Sequence, residues 1–200
     1  MLKKVNTGPW FGLARGYYLA SSRLGKADSE DELYAYAIGA LGRRMRSVAE
    51  LKRLLRRRVD EETEYGRTLL ALVIRRLKDQ GYLNDGRYAA AYSSLRRDNE
   101  KFGRRRVISD LQAKGVHREV IEQAVDAAYD EVDEEQQARA HLGRKRIAKP
   151  TNQKQAARVF RQLLRAGFRA KAIFAILKAW DADEQTLSAL SEEEQEDLPS

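Results

Sequence analysis

The chain is 200 residues long, contains no cysteine, two histidines and three prolines, and carries a formal net charge of +8 from 38 basic and 30 acidic residues. The missing cysteines exclude a disulfide framework and a Cys-based zinc site, and His117 and His141, both among charged residues and read as surface positions, leave little for a metal centre or His-dependent catalysis. No run of 18 apolar residues occurs, so no membrane span is expected, and the first 22 residues, broken by glycines and Arg15 behind Lys3 and Lys4, read as a poor signal peptide.

The charge is uneven. Residues 191–200 hold Glu192, Glu193, Glu194, Glu196 and Asp197 and no basic residue; without them the chain carries +13. Charge of that size favours polyanions, nucleic acid above all.

Residues 1–28 show little helical period and read as a flexible or loosely docked arm with an aromatic cluster, Trp10, Phe11, Tyr17 and Tyr18. From Ser29 onward apolar residues recur at helical spacing. Ser29 and Glu32 have capping-box spacing ahead of a first helix with Leu33, Tyr36, Ala37, Ala40 and Leu41 on one face. Ser47 and Glu50 repeat the box for a second, with Leu51, Leu54 and Leu55 inward. A third runs from about Arg67 to Gln80 and ends at Gly81, where a C′ glycine takes the left-handed turn without a Cβ clash.

Asp85 reads as the N-cap of a fourth helix facing inward through Tyr88, Ala91, Tyr92 and Leu95. Val107, Ile108 and Leu111 mark a fifth, closed by Gly115. Ile121, Ala124, Val125, Ala128 and Val132 mark a sixth. A weaker seventh spans about Glu134 to Ile147, with only Ala138 and Leu142 inward. Val159, Phe160, Leu163 and Leu164 mark an eighth, ended by Gly167. Ile173, Ile176, Leu177 and Trp180 mark a ninth. Beyond Asp181 the chain turns acidic.

Nine helices in three sets of three suggest an internal repeat. Leu51, Ile108 and Phe160 correspond, as do Leu54, Leu111 and Leu163, and Val59, Val116 and Phe168, at offsets of 57 and 52 residues. The expected organisation is an N-terminal arm (1–28), three-helix repeats at 29–83, 84–132 and 133–181, and an acidic tail (182–200). The expected fold class is all-α: three tandem three-helix, helix-turn-helix-like repeats in an elongated curved array.

The middle of this pattern carries a recognisable string. Gly81-Tyr82-Leu83-Asn84-Asp85 is followed by Arg87-Tyr88-Ala89, then Phe102-Gly103-Arg104-Arg105-Arg106, Leu111 and Lys114-Gly115-Val116. In that order and spacing it resembles the RecX regulators of the bacterial recombinase RecA, over roughly Leu33 to Trp180. Two positions in the core depart from the family pattern. Arg58 stands where the first repeat's Lys-Gly turn places its glycine, and Ala166 replaces the basic residue before Gly167. The arm and the acidic tail fall outside the family core.

No catalytic motif is present: no Walker loop, dinucleotide fingerprint, nucleophile motif or His-rich cluster. Neither catalytic nor metal nor cofactor residues are expected. The basic residues are better organised. Arg53, Arg56 and Arg57 lie at i, i+3, i+4 on the second helix. Lys154, Arg158, Arg161 and Arg165 lie at i, i+4, i+7, i+11 on the eighth. Like charges at such spacing are mildly destabilising unless they meet an anion. Arg104, Arg105 and Arg106 fan through about 200° and cannot share a face; Lys101 and Arg105 do share a side. Lys114, like Arg57 and Arg58, also suits the negative pole of a helix dipole. Arg144, Lys145, Arg146 and Lys149 precede Pro150. Arginine forks match phosphate or carboxylate, so DNA or an acidic protein surface would satisfy these ridges equally.

The resemblance implies a non-enzymatic modulator, mainly an inhibitor, of RecA. It would act as a monomer in the groove of the RecA–DNA filament, blocking extension and lowering strand exchange and ATP hydrolysis. The setting implied is cytoplasmic, within homologous recombination, DNA repair and the SOS response. The contact residues expected are Arg53, Arg56, Arg57, Lys101, Arg104, Arg105, Arg106, Lys114, Arg144, Lys145, Lys154, Arg158, Arg161 and Arg165. Tyr82 and Phe102 are expected to pack between repeats. The alternative is a sequence-tolerant DNA- or RNA-binding helical protein with no recombinase partner.

Overall fold

The computed structural model describes residues 25–180 and Ser188. The aromatic cluster of the arm and the acidic tail lie outside them. Nine helices and no strand occur among the described residues: α1 (Glu30–Arg43), α2 (Val48–Arg56), α3 (Glu64–Asp79), α4 (Asp85–Asp98), α5 (Arg104–Ala113), α6 (Arg118–Tyr129), α7 (Glu134–Lys145), α8 (Gln153–Arg165) and α9 (Ala170–Ala179). None is long and apolar enough to cross a membrane. The all-α fold class read from the periodicity is the one observed.

Backbone packing divides the chain into two compact units. Among the described residues, one holds 25–88 together with Lys114–Val116; the other holds Ala89–Ala113 and 117–180.

In the first unit α1 packs on α2 and α3. The core is Leu33, Ala37, Leu51, Leu55, Val73 and Leu77, all fully buried, with Tyr82 packed against it. Side-chain caps set the helix starts by satisfying orphan backbone N–H groups. Ser29 accepts from Glu32 N, although Glu32 turns back to Asp28 N and not to Ser29. Ser47 and Glu50 form a complete capping box. Thr63 accepts from Gly66 N, which starts α3 before the expected Arg67.

In the second unit α5 packs on α6, and α9 packs on both α7 and α8. Ala138, Leu142, Val159, Phe160, Leu163, Phe168, Ile173, Ile176 and Leu177 form its larger core. Phe102 packs against that cluster, within this unit.

Three expectations need correction. Asp85 is not the N-cap of α4. Asn84 is, its Oδ1 accepting from Arg87 N at 2.8 Å, while the Asp85 carboxylate accepts from Val48 N at 2.8 Å, at the start of α2. Leu95 does not face inward; it is 53% exposed. His141 is not a surface residue. It is buried between Phe102 and Phe168, and its ring Nδ1 lies 3.1 Å from the Glu100 carbonyl, which can only accept. With His141 counted, α7 has inward positions at 138, 141 and 142, an ordinary i, i+3, i+4 face.

The glycine turns do more than end helices. Gly81, Gly115 and Gly167 have φ of 72°, 73° and 92°, the left-handed region. Around Gly167 the N–H groups of Gly167 and Phe168 return to Leu164 and Leu163, a Schellman closure. The same turn then receives the start of α5: Gly103 N donates to Ala166 O at 2.8 Å and Arg105 N to Gly167 O at 3.2 Å. In the first unit the Lys114-Gly115 turn meets the start of α2: Ser47 Oγ donates to Lys114 O at 2.6 Å, and a Cβ on Gly115 would lie 2.5 Å from that of Ala49. At the Gly167 turn the carbonyl-rich end of α8 thus meets the N–H-rich start of α5, so orphan groups and dipole ends cancel.

Arg58 holds the position equivalent to Gly115 and Gly167, with Arg57 preceding it as the αR C-cap of α2. The Arg58 carbonyl accepts Ala27 N, from the segment that precedes α1. Arg58 itself is 8% exposed, with its guanidinium 4.8 Å above the Tyr36 ring. The turn therefore needs neither positive φ nor a missing Cβ.

Glu50 ties the first junction together. Its carboxylate accepts from Ser47 N, from Lys114 Nζ at 3.2 Å and from Tyr88 OH at 3.2 Å. Burial pushes its pKa up, but these three donors outweigh it and hold the carboxyl below its usual value of 4.5. A folded pKa below the unfolded one gives stability that is complete above about pH 4.5 and lost as pH falls through the folded value. Denaturant unfolding between about pH 3 and 7 should therefore show an acid limb that Glu50→Gln flattens, with the variant weaker at neutral pH. At the second junction a Cβ on Gly103 would overlap the Gly167 carbonyl, whereas one on Gly143, inside α7, meets nothing within 4 Å. Gly103→Ala should cost about 1–3 kcal/mol and Gly143→Ala should gain roughly 0.5–1 kcal/mol, both read as urea midpoints.

Candidate polyanion-binding surface

The fourteen candidate cations are not equivalent once folded. Five are matched by carboxylates. Arg56 pairs with Glu61 at 2.7 Å, Arg104 with Asp126, Arg106 with Asp110 at 3.0 Å, Lys114 with Glu50 at 3.2 Å, and Arg144 with Glu100 at 3.0 Å. Lys114 thus serves the Gly115 junction, and Arg104 ties α5 to α6. Surface pairs of this kind contribute at most about 1 kcal/mol of stability, but each largely cancels the field its cation would project.

Arg53, Arg57, Arg105, Lys145, Lys154, Arg158 and Arg165 are exposed and have no carboxylate within ion-pair distance among the described residues. Arg53 Nε turns back to the Ala49 carbonyl, and Arg57 caps α2. Arg105 contributes its backbone N–H to the Gly167 junction and leaves its side chain in solvent. Lys101 sits in left-handed backbone, φ 53°, and helps lower the pKa of Asp98, for which the Arg97 hydrogen bond is the main cause.

The clearest cationic face is on α8. Asn152 caps this helix by accepting from Gln155 N. Ala156, Val159, Phe160 and Leu163 are buried on one side; Lys154, Arg158, Arg161 and Arg165 are exposed on the other. Lys154 to Arg165 spans eleven residues, about 16 Å along the axis. No acidic residue occurs anywhere in α8. Duplex DNA presents a charge about every 1.7 Å of its axis, so a ridge of this length faces several phosphates.

One cluster was missed from the sequence. Arg43 ends α1, Arg44 is its C-cap and Arg46 follows before α2; Arg46 Nε is buried with no hydrogen-bond partner among the described residues. Burial lowers the pKa of Arg46, and Arg44 and Arg43 lower it further against the pull of Glu50. The signal available was a run of arginines at the junction of two apolar stripes, belonging to neither.

Among the described residues no group of three His, Asp or Glu side chains is placed to hold a metal ion.

Comparison with known proteins places this architecture. A family model described as the second three-helix domain of RecX matches residues 84–125. The regulatory protein RecX of Mycolicibacterium vanbaalenii is 30% identical over 162 residues, covering 78% of this chain and 85% of the relative. That of Deinococcus radiodurans is 31% identical over 153 residues, covering 76% and 70%. That of Bacillus subtilis is 30% identical over 154 residues; the match spans 75% of this chain but only 56% of the relative's length. The crystal structure of RecX from Lactobacillus salivarius superposes with a TM-score of 0.56 at 19% identity, over 76% of this chain and 96% of that one. Sequence identity across most of the helical region and a shared all-helical fold lead to one conclusion: the chain belongs to the RecX family of regulatory proteins.

Proposed function

We propose that this chain regulates RecA by binding the RecA–DNA filament, with no chemistry of its own, and that it limits filament extension, strand exchange and ATP hydrolysis. The observation that supports this most directly is the α8 ridge. It is an exposed cationic face about 16 Å long that carries no acidic residue, and on it Lys154, Arg158 and Arg165 have no carboxylate partner among the described residues. A face of one sign suits a polyanion, either DNA phosphates or the acidic surface of a protein filament. Membership of the regulatory family supports RecA as the partner, and filament-groove binding would account for both surfaces at once. The repeat organisation at 29–83, 84–132 and 133–181 is part of the proposal, since repeated units would present ridges to successive protomers.

The decisive assay is RecA's single-stranded-DNA-dependent ATP hydrolysis, titrated with this protein. Inhibition well below one molecule per RecA protomer is expected. Inhibition only in excess, tracking the protein's own DNA affinity, would instead make it a competitor for DNA, the reading without a recombinase partner. Absence of inhibition at every ratio would refute the proposal.

The cations should also separate by variant. Lys154→Gln with Arg158→Gln is expected to weaken binding to single-stranded DNA and to reduce the slope of log K against log salt by about 0.7 for each phosphate no longer neutralised. Arg56→Gln and Arg104→Gln, whose side chains already face Glu61 and Asp126, should change that slope little. Equal losses in both sets would show that net charge alone, and not the α8 face, governs binding.

A further inference from the structure

The second unit holds a cleft of about 380 Å³ where the segment before α5 meets α7 and α8. Phe102 and Ile147 form an apolar wall, Arg106, Lys145 and Arg165 a cationic rim, and the buried His141 ring lies among them. No acidic side chain lines it. Arg106 is answered by Asp110 from outside the cleft, while Lys145 and Arg165 have no carboxylate partner among the described residues. The guanidinium groups of Arg96 and Arg106 lie 5.7 and 5.8 Å from the Phe102 ring centre, and Arg106 is 47% exposed. An aromatic ring and an arginine plane are both surfaces on which a nucleobase stacks.

Arg165 belongs to two features at once. It is the last cation of the α8 ridge and a member of the cleft rim. A track for phosphates thus leads directly into a pocket with an apolar wall. Small-ligand sites begin near about 300 Å³, so the cleft suits one nucleotide. A duplex keeps its bases stacked within the helix and offers none of them to such a pocket.

We propose that this cleft receives one unstacked nucleotide of a single nucleic-acid strand, its base against Phe102 and Ile147 and its phosphate between Lys145 and Arg165, while neighbouring phosphates run along α8. The proposal rests on reading the α8 face as a polyanion contact and adds what it prefers: single strands over duplex, through one base taken out of the stack.

The cleft contains its own reporter. His141 Nδ1 donates to the Glu100 carbonyl. Burial pulls its pKa below the ordinary 6.5, and Lys145 and Arg144 lower it further, against the carbonyls of Glu100 and Lys101. A phosphate beside Lys145 would oppose that field and raise it. The only other histidine, His117, is exposed and precedes α6.

The experiment is a histidine ring-proton NMR titration of the full chain, alone and with saturating oligothymidylate, its duplex with oligoadenylate, or dTMP. With oligothymidylate the His141 midpoint should rise by roughly half to one pH unit; the duplex should leave it in place. Lys145→Gln with Arg165→Gln, both exposed positions, should lower affinity for oligothymidylate about tenfold and duplex affinity much less. A His141 midpoint unmoved by bound oligothymidylate would overturn the proposal. So would an equal rise with duplex, or a rise with dTMP as large as with the strand, which would mark a free-nucleotide pocket independent of the ridge. RecA inhibition is read in parallel on the same protein. Inhibition retained with His141 unmoved would remove the cleft and leave the regulatory proposal intact, whereas loss of inhibition would count against the latter.

Discussion

The carbonyl end of one helix capping the N–H end of another is the interaction on which this fold depends. At Gly103 and Gly167 two backbones approach so closely that neither residue has room for a Cβ. Two backbone hydrogen bonds cross there, and within the first unit the Ser47 hydroxyl donates to the Lys114 carbonyl. Each net bond contributes only about 1 kcal/mol, but leaving the buried groups unsatisfied costs up to about 3 kcal/mol apiece. Short helices of 9 to 16 residues have little stability alone; closing their ends against one another makes them a structure. The charged partners around these turns follow from the same need. Glu50 serves its capping box, Lys114 and Tyr88 together, and Asp85 is drawn from its own helix start to that of α2.

Charge follows a second logic. The chain is strongly basic, yet folding returns much of that charge to internal use. Arg104 pairs with Asp126, Arg106 with Asp110, Arg144 with Glu100 and Arg76 with Glu30 and Asp31. What remains among the described residues is concentrated: Lys154, Arg158 and Arg165 on α8, Arg53 and Arg57 on α2, Arg43 and Arg44 at the end of α1, and Lys145 on the rim of the cleft. Exposed ion pairs add little stability, so their larger effect is to decide where the positive field is absent. A polyanion meeting this surface is guided to the few places where cations cluster without acidic neighbours.

Much of the fold was legible in the sequence because helices are written locally. Apolar spacing located nine helices, and Ser47-x-x-Glu50 and the glycines at 81, 115 and 167 marked their ends, since capping and positive φ depend on nearby residues alone. The basic stripe of α8 was equally visible, being a property of one helix. The failures share one cause. Asp85 was assigned to its own helix because nothing local tells that its carboxylate reaches Val48, 37 residues away. His141 was placed on the surface because its neighbours in sequence are charged, while its neighbours in space are Phe102 and Phe168. Leu95 fits an apolar spacing, yet it stays 53% exposed among the described residues.

The sequence by itself therefore determined the helices, the Ser29 and Ser47 caps, the basic faces and, through the order of its central motifs, the family. Tertiary structure alone decided which arginines are neutralised, why Gly103 and Gly167 admit no side chain, and that Phe102, His141, Lys145 and Arg165 share one cleft. The physical reason is range. Capping and periodicity act within a turn or two of helix, whereas ion pairing, backbone approach and burial depend on residues tens of positions apart that only the folded chain brings within a few ångströms.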